Sequence, residues 1–283
     1  MSAVDHTTAA AAAFDPGYGE EPWRTLCAEY PGSDVYPASD FRVEWGPLFH
    51  RGRLDGSARL LLIGQDPSAH EAISRRILVG EAGQRVQGFM AKLGLTSSYV
   101  MVNTYLYSIY GQSAGNQHAT DPAIAAYRNR WLDALVLGHQ IQAVVAFGSL
   151  ADTAYQTWAA TQPAAAAALT YRHVTHPTAP ISGSGGDPTL LKQLTKEMLA
   201  GWNTALRALR EVVTAEATRA PLYSSTGILR PSDDVEIPAA DMPAGIPAWM
   251  RSVENWADRT GLTAESKRAT IVVTVPTDQR PWD

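Results

Sequence analysis

Cysteine is almost missing from this chain: Cys27 is the only one in 283 residues. A single thiol forms no internal disulfide and leaves an iron–sulfur cluster or a cysteine-bound zinc without ligands, and it suits a reducing, cytoplasmic setting. Long apolar runs are also missing. No stretch reaches the roughly 20 residues that a membrane-spanning helix needs, and the opening Met1-Ser2-Ala3-Val4-Asp5-His6 has neither the basic nor the apolar region of a signal peptide. Positive charge is in short supply, with 23 Lys and Arg against 28 Asp and Glu, a net charge of −5 and a pI near 5.8. No global basic field therefore announces a nucleic acid, although a local basic face remains compatible with an acidic protein. No Gly-rich phosphate loop or dinucleotide fingerprint is present, which argues against a nucleotide-binding protein unrelated to DNA.

What the chain does have is apolar substance: 45% of residues are hydrophobic and eight are Trp, enough for a full core. Residues 1–20, with the run Ala9 to Ala13 followed by Pro16, Gly17 and Gly19, read as a disordered lead-in. Residues 21–214 read as one domain. Trp23 to Arg53 form an irregular layer, and apolar strands follow at Leu60 to Ile63, Tyr99 to Leu106, Ala143 to Phe147 and Tyr171 to Thr175. Helices are expected over Gly83 to Leu93, after the N-cap and Pro pair Asp121-Pro122, from Ser149, and over Pro188 to Leu209. Strand–loop–helix alternation predicts an α/β fold with a central, mostly parallel four-stranded sheet flanked by helices. Residues 215–283 are broken by prolines and carry one strand candidate, Thr270 to Val275. They read as a C-terminal appendage that wraps the core or meets a partner.

The most informative segment is Leu60-Leu61-Leu62-Ile63-Gly64-Gln65-Asp66-Pro67-Ser68, a buried strand that stops at a Gly, an amide, a carboxylate and a proline. In open α/β sheets, ligands bind beyond the carboxyl ends of the strands. Four such ends carry Gln65 with Asp66, Asn103, Gly148 with Ser149, and His176. A carboxylate, an amide and a histidine on one rim match the needs of N-glycosidic bond cleavage. The carboxylate holds water and stabilises a cationic sugar, the amide reads the edge of a flipped base, and the histidine donates to the departing base. Taken singly, each residue has a plainer reading. Asn103 suits a turn, His176 before Pro177 suits a tight turn, and Arg75-Arg76 suits a solvated helix face.

Ordered together, these segments resemble the uracil-DNA glycosylase superfamily. Gly64-Gln65-Asp66-Pro67 resembles the first motif of the family-one enzymes, and Ile77 to Gln84 is similar to the Phe-Val-Gly-x-Ala-Gly-Gln segment of the family-four enzymes. Val102-Asn103 resembles the strand end that supplies a base-reading Asn. Gly115-Asn116 with Asp121-Pro122 resembles a Pro-Pro-Gly-Asn region, and Ala143 to Ala151 is similar to the superfamily's apolar strand ending in Gly. His176-Pro177-Thr178 resembles the His-Pro-Ser motif near the intercalating loop. The likeness runs over about residues 58–210. It implies Asp66 and His176 as catalytic residues, with Gln65, Ser68, Leu78 and Asn103 toward the base. It also implies Arg75, Arg76, Arg85, Ser182 and Gly183 toward DNA, with Ile181 and the run 183–186 entering the duplex as a loop.

The departures are informative. The cysteines of the family-four cluster are absent, so no cofactor and no metal is expected. Leu78 stands where a base-stacking Phe is expected, leaving Tyr105 or Tyr107 as substitutes. Ser68 stands where family-one enzymes carry a Tyr that excludes bases substituted at carbon five, so a wall is removed. The resemblance implies a monomeric, monofunctional DNA glycosylase that acts on a flipped pyrimidine and leaves an abasic site. Uracil is the default base. The alternatives are an anti-phage enzyme excising a bulky modified cytosine such as glucosylated hydroxymethylcytosine, or a non-catalytic DNA base sensor.

Overall fold

The computed structural model describes residues 17–253, 255–280 and 282. Most of the expected lead-in, residues 1–16, lies outside them. The helices are α1 (Trp23–Ala28), α2 (Ala69–Ser74), α3 (Gly80–Leu93), α4 (Gln112–His118), α5 (Pro122–Gly138), α6 (Ser149–Thr161), α7 (Pro163–Ala167), α8 (Ala179–Ser184), α9 (Pro188–Arg210), α10 (Trp249–Ser252) and α11 (Ala264–Ala269). The strands are β1 (His50–Gly52), β2 (Leu60–Gly64), β3 (Tyr99–Asn103), β4 (Ala143–Phe147), β5 (Thr170–Val174), β6 (Ala257–Asp258) and β7 (Val272–Val273).

The main sheet has the order β1-β3-β2-β4-β5. Strands β3, β2, β4 and β5 are parallel, as the sequence predicts, and β1 adds a short antiparallel edge against β3. That fifth strand is hidden in sequence because three residues with a buried His and Arg carry no apolar alternation. Strand β3 ends at Asn103 rather than running on to Leu106. Thr104 and Tyr105 instead turn their N–H groups onto the carbonyls of Gly64 and Gln65, at 3.0 Å each.

Strand residues alternate between two cores. Leu61, Ile63, Val100, Val102, Val144 and Ala146 face α5 and α6, with Trp131 and Trp158 among their neighbours. Leu60, Leu62, Met101, Val145 and Phe147 face α3 and α9, packing around Phe89, Met90 and Trp202. Both faces are covered, which is why the strands read as continuous apolar runs instead of alternating ones. Asp121 caps α5 through Ala123 N–H and Ile124 N–H, and Asp187 caps α9 in the same way. Because β3 and β4 lie on opposite sides of β2 while α3 and α6 lie on opposite faces, the chain reverses direction beside the carboxyl end of β2. That crevice is where an open α/β sheet admits a ligand.

The C-terminal residues pack onto the domain through buried charges. Asp241 accepts from Arg51 Nη1 at 2.7 Å and from the Tyr99 hydroxyl at 2.7 Å, with both ion-pair side chains fully buried. Lys92 Nζ meets Asp233 Oδ1 at 2.7 Å, also out of solvent. Glu216 gathers the N–H groups of Thr96, Ser97 and Ser98. Burial alone would raise its carboxyl, but the Ser98 hydroxyl and these backbone donors outweigh that and hold it at about 2. The strand expected over Thr270 to Val275 is only the two residues of β7, paired with β6. Removing one partner of a buried pair strands the other charge. Asp241→Ala is therefore expected to lower unfolding free energy by about 3–5 kcal/mol in a denaturant titration. A loss within the error of the titration would show that Arg51 does not depend on this carboxylate.

Candidate active site

The loop after β2 holds its carboxylate by a backbone donor from elsewhere in the chain. Asp66 Oδ2 accepts from Ile109 N–H at 3.0 Å. Pro67 is buried, and Ser68 is the N-cap of α2, its N–H donating to Glu71 Oε2 at 2.9 Å. The other Glu71 oxygen accepts from Val79 N–H at 3.0 Å. Glu71 thus stitches the Asp66 loop to the start of α3. The spacing Ser68-Ala69-His70-Glu71 is a capping-box pattern legible in the sequence, although its use beside Asp66 is not.

Burial raises the Asp66 carboxyl from 3.8 to about 7, and the negative charge of Glu71 adds to the rise; the Ile109 N–H and the positive Arg259 oppose it. Burial likewise raises Glu71.

His176 lies across the cavity on the turn after β5. Its Nδ1 accepts from Thr178 N–H at 3.3 Å and sits 3.1 Å from the Thr178 hydroxyl. A ring nitrogen that accepts from a backbone N–H carries no proton, so the neutral imidazole bears its hydrogen on Nε2. Burial, with the nearby Arg85 charge, lowers His176 to about 4 and keeps it neutral at physiological pH. Arg85 Nη1 donates to Pro177 O at 2.8 Å and Arg85 also pairs with Glu81, so the same arginine fixes the His-Pro turn.

Gly148, at the end of β4, closes the crevice. Its φ of +92° disfavours any side chain, and a Cβ there would come within 2.3 Å of Gln65 Nε2 and 3.2 Å of His176 Cβ. Glycine at this point lets the loops after β2, β4 and β5 converge.

A cavity of about 720 Å³ opens here, lined by Gln65, Asp66, Ser68, Leu78, His176 and Ser182. An adjoining hollow of about 470 Å³ shares Gln65 and His176 and reaches Asn116, Gly148 and Ser149. Six of the residues singled out from sequence thus share one cavity. Leu78 is held at φ 52°, a left-handed conformation rare for a branched side chain and one that concentrates at functional sites.

Other expected residues lie elsewhere. Asn103 does not line the cavity. Its carboxamide rests over Gly64, where a Cβ would meet its Oδ1 at 2.3 Å, and that buried oxygen has no hydrogen-bond partner among the described residues. Beside it, the Arg128 guanidinium is buried on the apolar face of α5, also without a hydrogen-bond partner among the described residues. Arg75 gives its guanidinium to the carbonyls of Trp45 and Pro47, at 2.7 and 2.8 Å, and Arg76 Nη1 donates to Arg75 O. The segment after His176 is not a plain loop but the short helix α8, with Ile181, Ser182 and Gly183 exposed on it.

Tyr105 and Tyr107 do not substitute for a stacking aromatic. Both are buried in the core, and their hydroxyls donate to Gly115 O and Pro31 O. The ring that lines the cavity is Tyr110, next to the Ile109 donor and 4.6 Å from the Arg42 guanidinium. Sequence reading missed Arg42, Glu71 and Tyr110 because their place depends on long-range packing. Arg128 left a signal, a charged residue on the apolar stripe of Ile124, Trp131 and Leu135.

Compared with known families, residues 51–204 match the model of the uracil DNA glycosylase superfamily, and the chain belongs to that superfamily. Membership carries a DNA glycosylase-type function, with base excision as its chemistry. No curated protein matches the chain.

An Asp pKa raised above its unfolded value favours folding when the group is protonated. The contribution is complete below pH 3.8 and is lost as pH rises through about 7. Asp66→Asn, neutral at every pH, is therefore expected to melt above the parent at pH 8, with the gap narrowing toward pH 4. A gap that stays constant across this range would rule out the buried, reluctant carboxylate.

Proposed function

We propose that the protein is a monofunctional DNA glycosylase that hydrolyses the N-glycosidic bond of a flipped pyrimidine and leaves an abasic site. The observation that carries this reading is the pairing of Asp66 and neutral His176 across one cavity at the sheet's crevice. Water held by ionised Asp66 attacks C1′ of the sugar and passes its proton to the carboxylate. The bond from C1′ to the base breaks, and its electron pair leaves with the base. The Nε2–H of His176 donates to the base carbonyl oxygen on which that charge gathers. At neutral pH the imidazolium form is absent, since its pKa is about 4, so the neutral ring acts through its Nε2–H as a hydrogen-bond donor and keeps that proton through the step.

Gln65, Ser68 and Leu78 surround the base, and Asn103 reads its edge after its carboxamide turns from Gly64 toward the cavity. Its unpartnered Oδ1 supports that mobility. Ile181, exposed on α8 beside His176, is the apolar wedge that fills the space left in the duplex, with Ser182 and Gly183 against the backbone. Arg76 faces DNA in this reading, whereas Arg75 and Arg85 act by holding the Trp45–Pro47 segment and the His176-Pro177 turn. The protein works as a cytoplasmic monomer.

Ser68 favours a second reading of the substrate. It lines the cavity with a small side chain, so a pyrimidine carrying a substituent at carbon five is accommodated, as an enzyme against modified phage DNA requires. Alkaline cleavage of matched duplexes separates the readings. The duplexes contain uracil, hydroxymethyluracil, hydroxymethylcytosine or glucosylated hydroxymethylcytosine. Cleavage at uracil alone makes the protein a repair-type enzyme, and cleavage confined to a bulky base makes it a defence enzyme. Asp66→Asn and His176→Ala should each lower turnover at least about a hundredfold while leaving DNA affinity within a few fold. Retardation of DNA without any abasic product from the parent would overturn catalysis and leave a base sensor.

A further inference from the structure

The match to the superfamily ends at residue 204, but the cavity does not. Asn255, Asp258, Arg259 and Lys267 line it too, all from the C-terminal extension and all exposed. The extension is anchored at this point. Trp256 is fully buried, with its ring edge-on to His70 at 4.8 Å, and Ala257 N–H donates to His70 Nε2 at 3.3 Å. His70 belongs to α2, the helix capped by Ser68 immediately after the Asp66 loop. On the other side, Arg42 Nη2 reaches Lys267 O at 3.4 Å, while its guanidinium lies 4.4 Å from the Trp45 ring and 4.6 Å from the Tyr110 ring. Buried tethers from two separate elements therefore set Arg259 and Lys267 on the cavity rim.

The charges on that rim are unequal in what they are free to do. Glu81 is paired with Arg85, and Glu71 is buried and occupied by backbone donors. Arg42 is enclosed by rings. Arg259, Lys267 and Asp258 are exposed and form no ion pair with the described residues, so the free side chains of the extension bring two positive charges against one negative. On a protein of net charge −5, two unpaired cations at the mouth of an acidic cavity are a local departure from the overall field. Arg259 also acts on Asp66, opposing the rise of its carboxyl.

We propose that the C-terminal extension is part of the DNA-binding surface, with Arg259 and Lys267 holding backbone phosphates beside the flipped nucleotide. The proposal rests on the glycosylase reading above. It gives the extension a role that the superfamily domain alone does not supply, and it explains how an acidic chain approaches a polyanion. Phosphate contacts fix register and orientation without reading sequence, which suits exposed side chains on a rim. Holding a cation near Asp66 also favours the ionised carboxylate that activates water.

The test uses the full chain and a duplex carrying a tetrahydrofuran abasic-site analogue, so that the identity of the excised base does not enter. Affinity is measured by fluorescence anisotropy over a range of salt concentrations for the parent, Arg259→Ala, Lys267→Ala and the double variant. Thermal melting confirms that the fold is kept. Each single substitution is expected to weaken binding and to reduce the slope of log Kd against log salt by about 1, and the double substitution by about 2. Arg259→Lys should restore the slope. An unchanged slope in the double variant, with the parent binding normally, overturns the proposal and leaves the glycosylase reading intact. A parent that binds no DNA overturns both readings together.

Discussion

The site depends on one hydrogen bond: Ile109 N–H to Asp66 Oδ2, 3.0 Å long, made where the carboxylate is half-buried at the cavity wall and close to a second carboxylate. Burying a charge is costly unless it is paired, and here one backbone donor and the charge of Arg259 offset that cost only in part. The result is a carboxyl raised to about 7, poised to change its protonation state near neutral pH. The surroundings follow from keeping it there. Glu71 ties the loop to α3, Gly148 leaves room for Gln65 and His176, and Arg85 fixes the turn that carries the imidazole.

The two titrating groups exchange their usual order. Burial raises the carboxyl and lowers the imidazole, so at neutral pH an ionisable base faces a neutral hydrogen-bond donor. Such opposed shifts are a usual mark of groups that divide a reaction between them. At neutral pH and above, protein stability gains nothing from either shift, which is the expected relation between an active site and the fold that supports it.

Much of the fold is legible in the sequence. The apolar runs of β2 and β4, the Asp-Pro start of α5 and the amphipathic length of α9 are local patterns that packing reinforces, and the sheet is parallel for the reason those runs are unbroken. Strand β1 is not legible, because three residues paired at an edge carry no periodicity. In the site, Gln65, Asp66, Ser68, Leu78 and His176 lie at the ends of readable elements and share the cavity. Asn103 lies at a readable strand end too, but its side chain turns toward Gly64, a choice of rotamer that strand pattern does not encode. Tyr110, Arg42, Asn255 and Arg259 come from segments of irregular structure, and Asp258 and Lys267 from the two-residue β6 and the short α11. Only tertiary contacts such as Trp256 on His70 bring them to the site.

The central claim is that Asp66 must ionise for water to attack. The direct measurement is kcat/KM for base release between pH 5 and 9, which reports groups of the free enzyme. The account predicts a rise with pH through about 7 followed by a plateau, since His176, at about 4, stays neutral throughout. A rate level across that range, or one that falls as pH rises through 7, would contradict it.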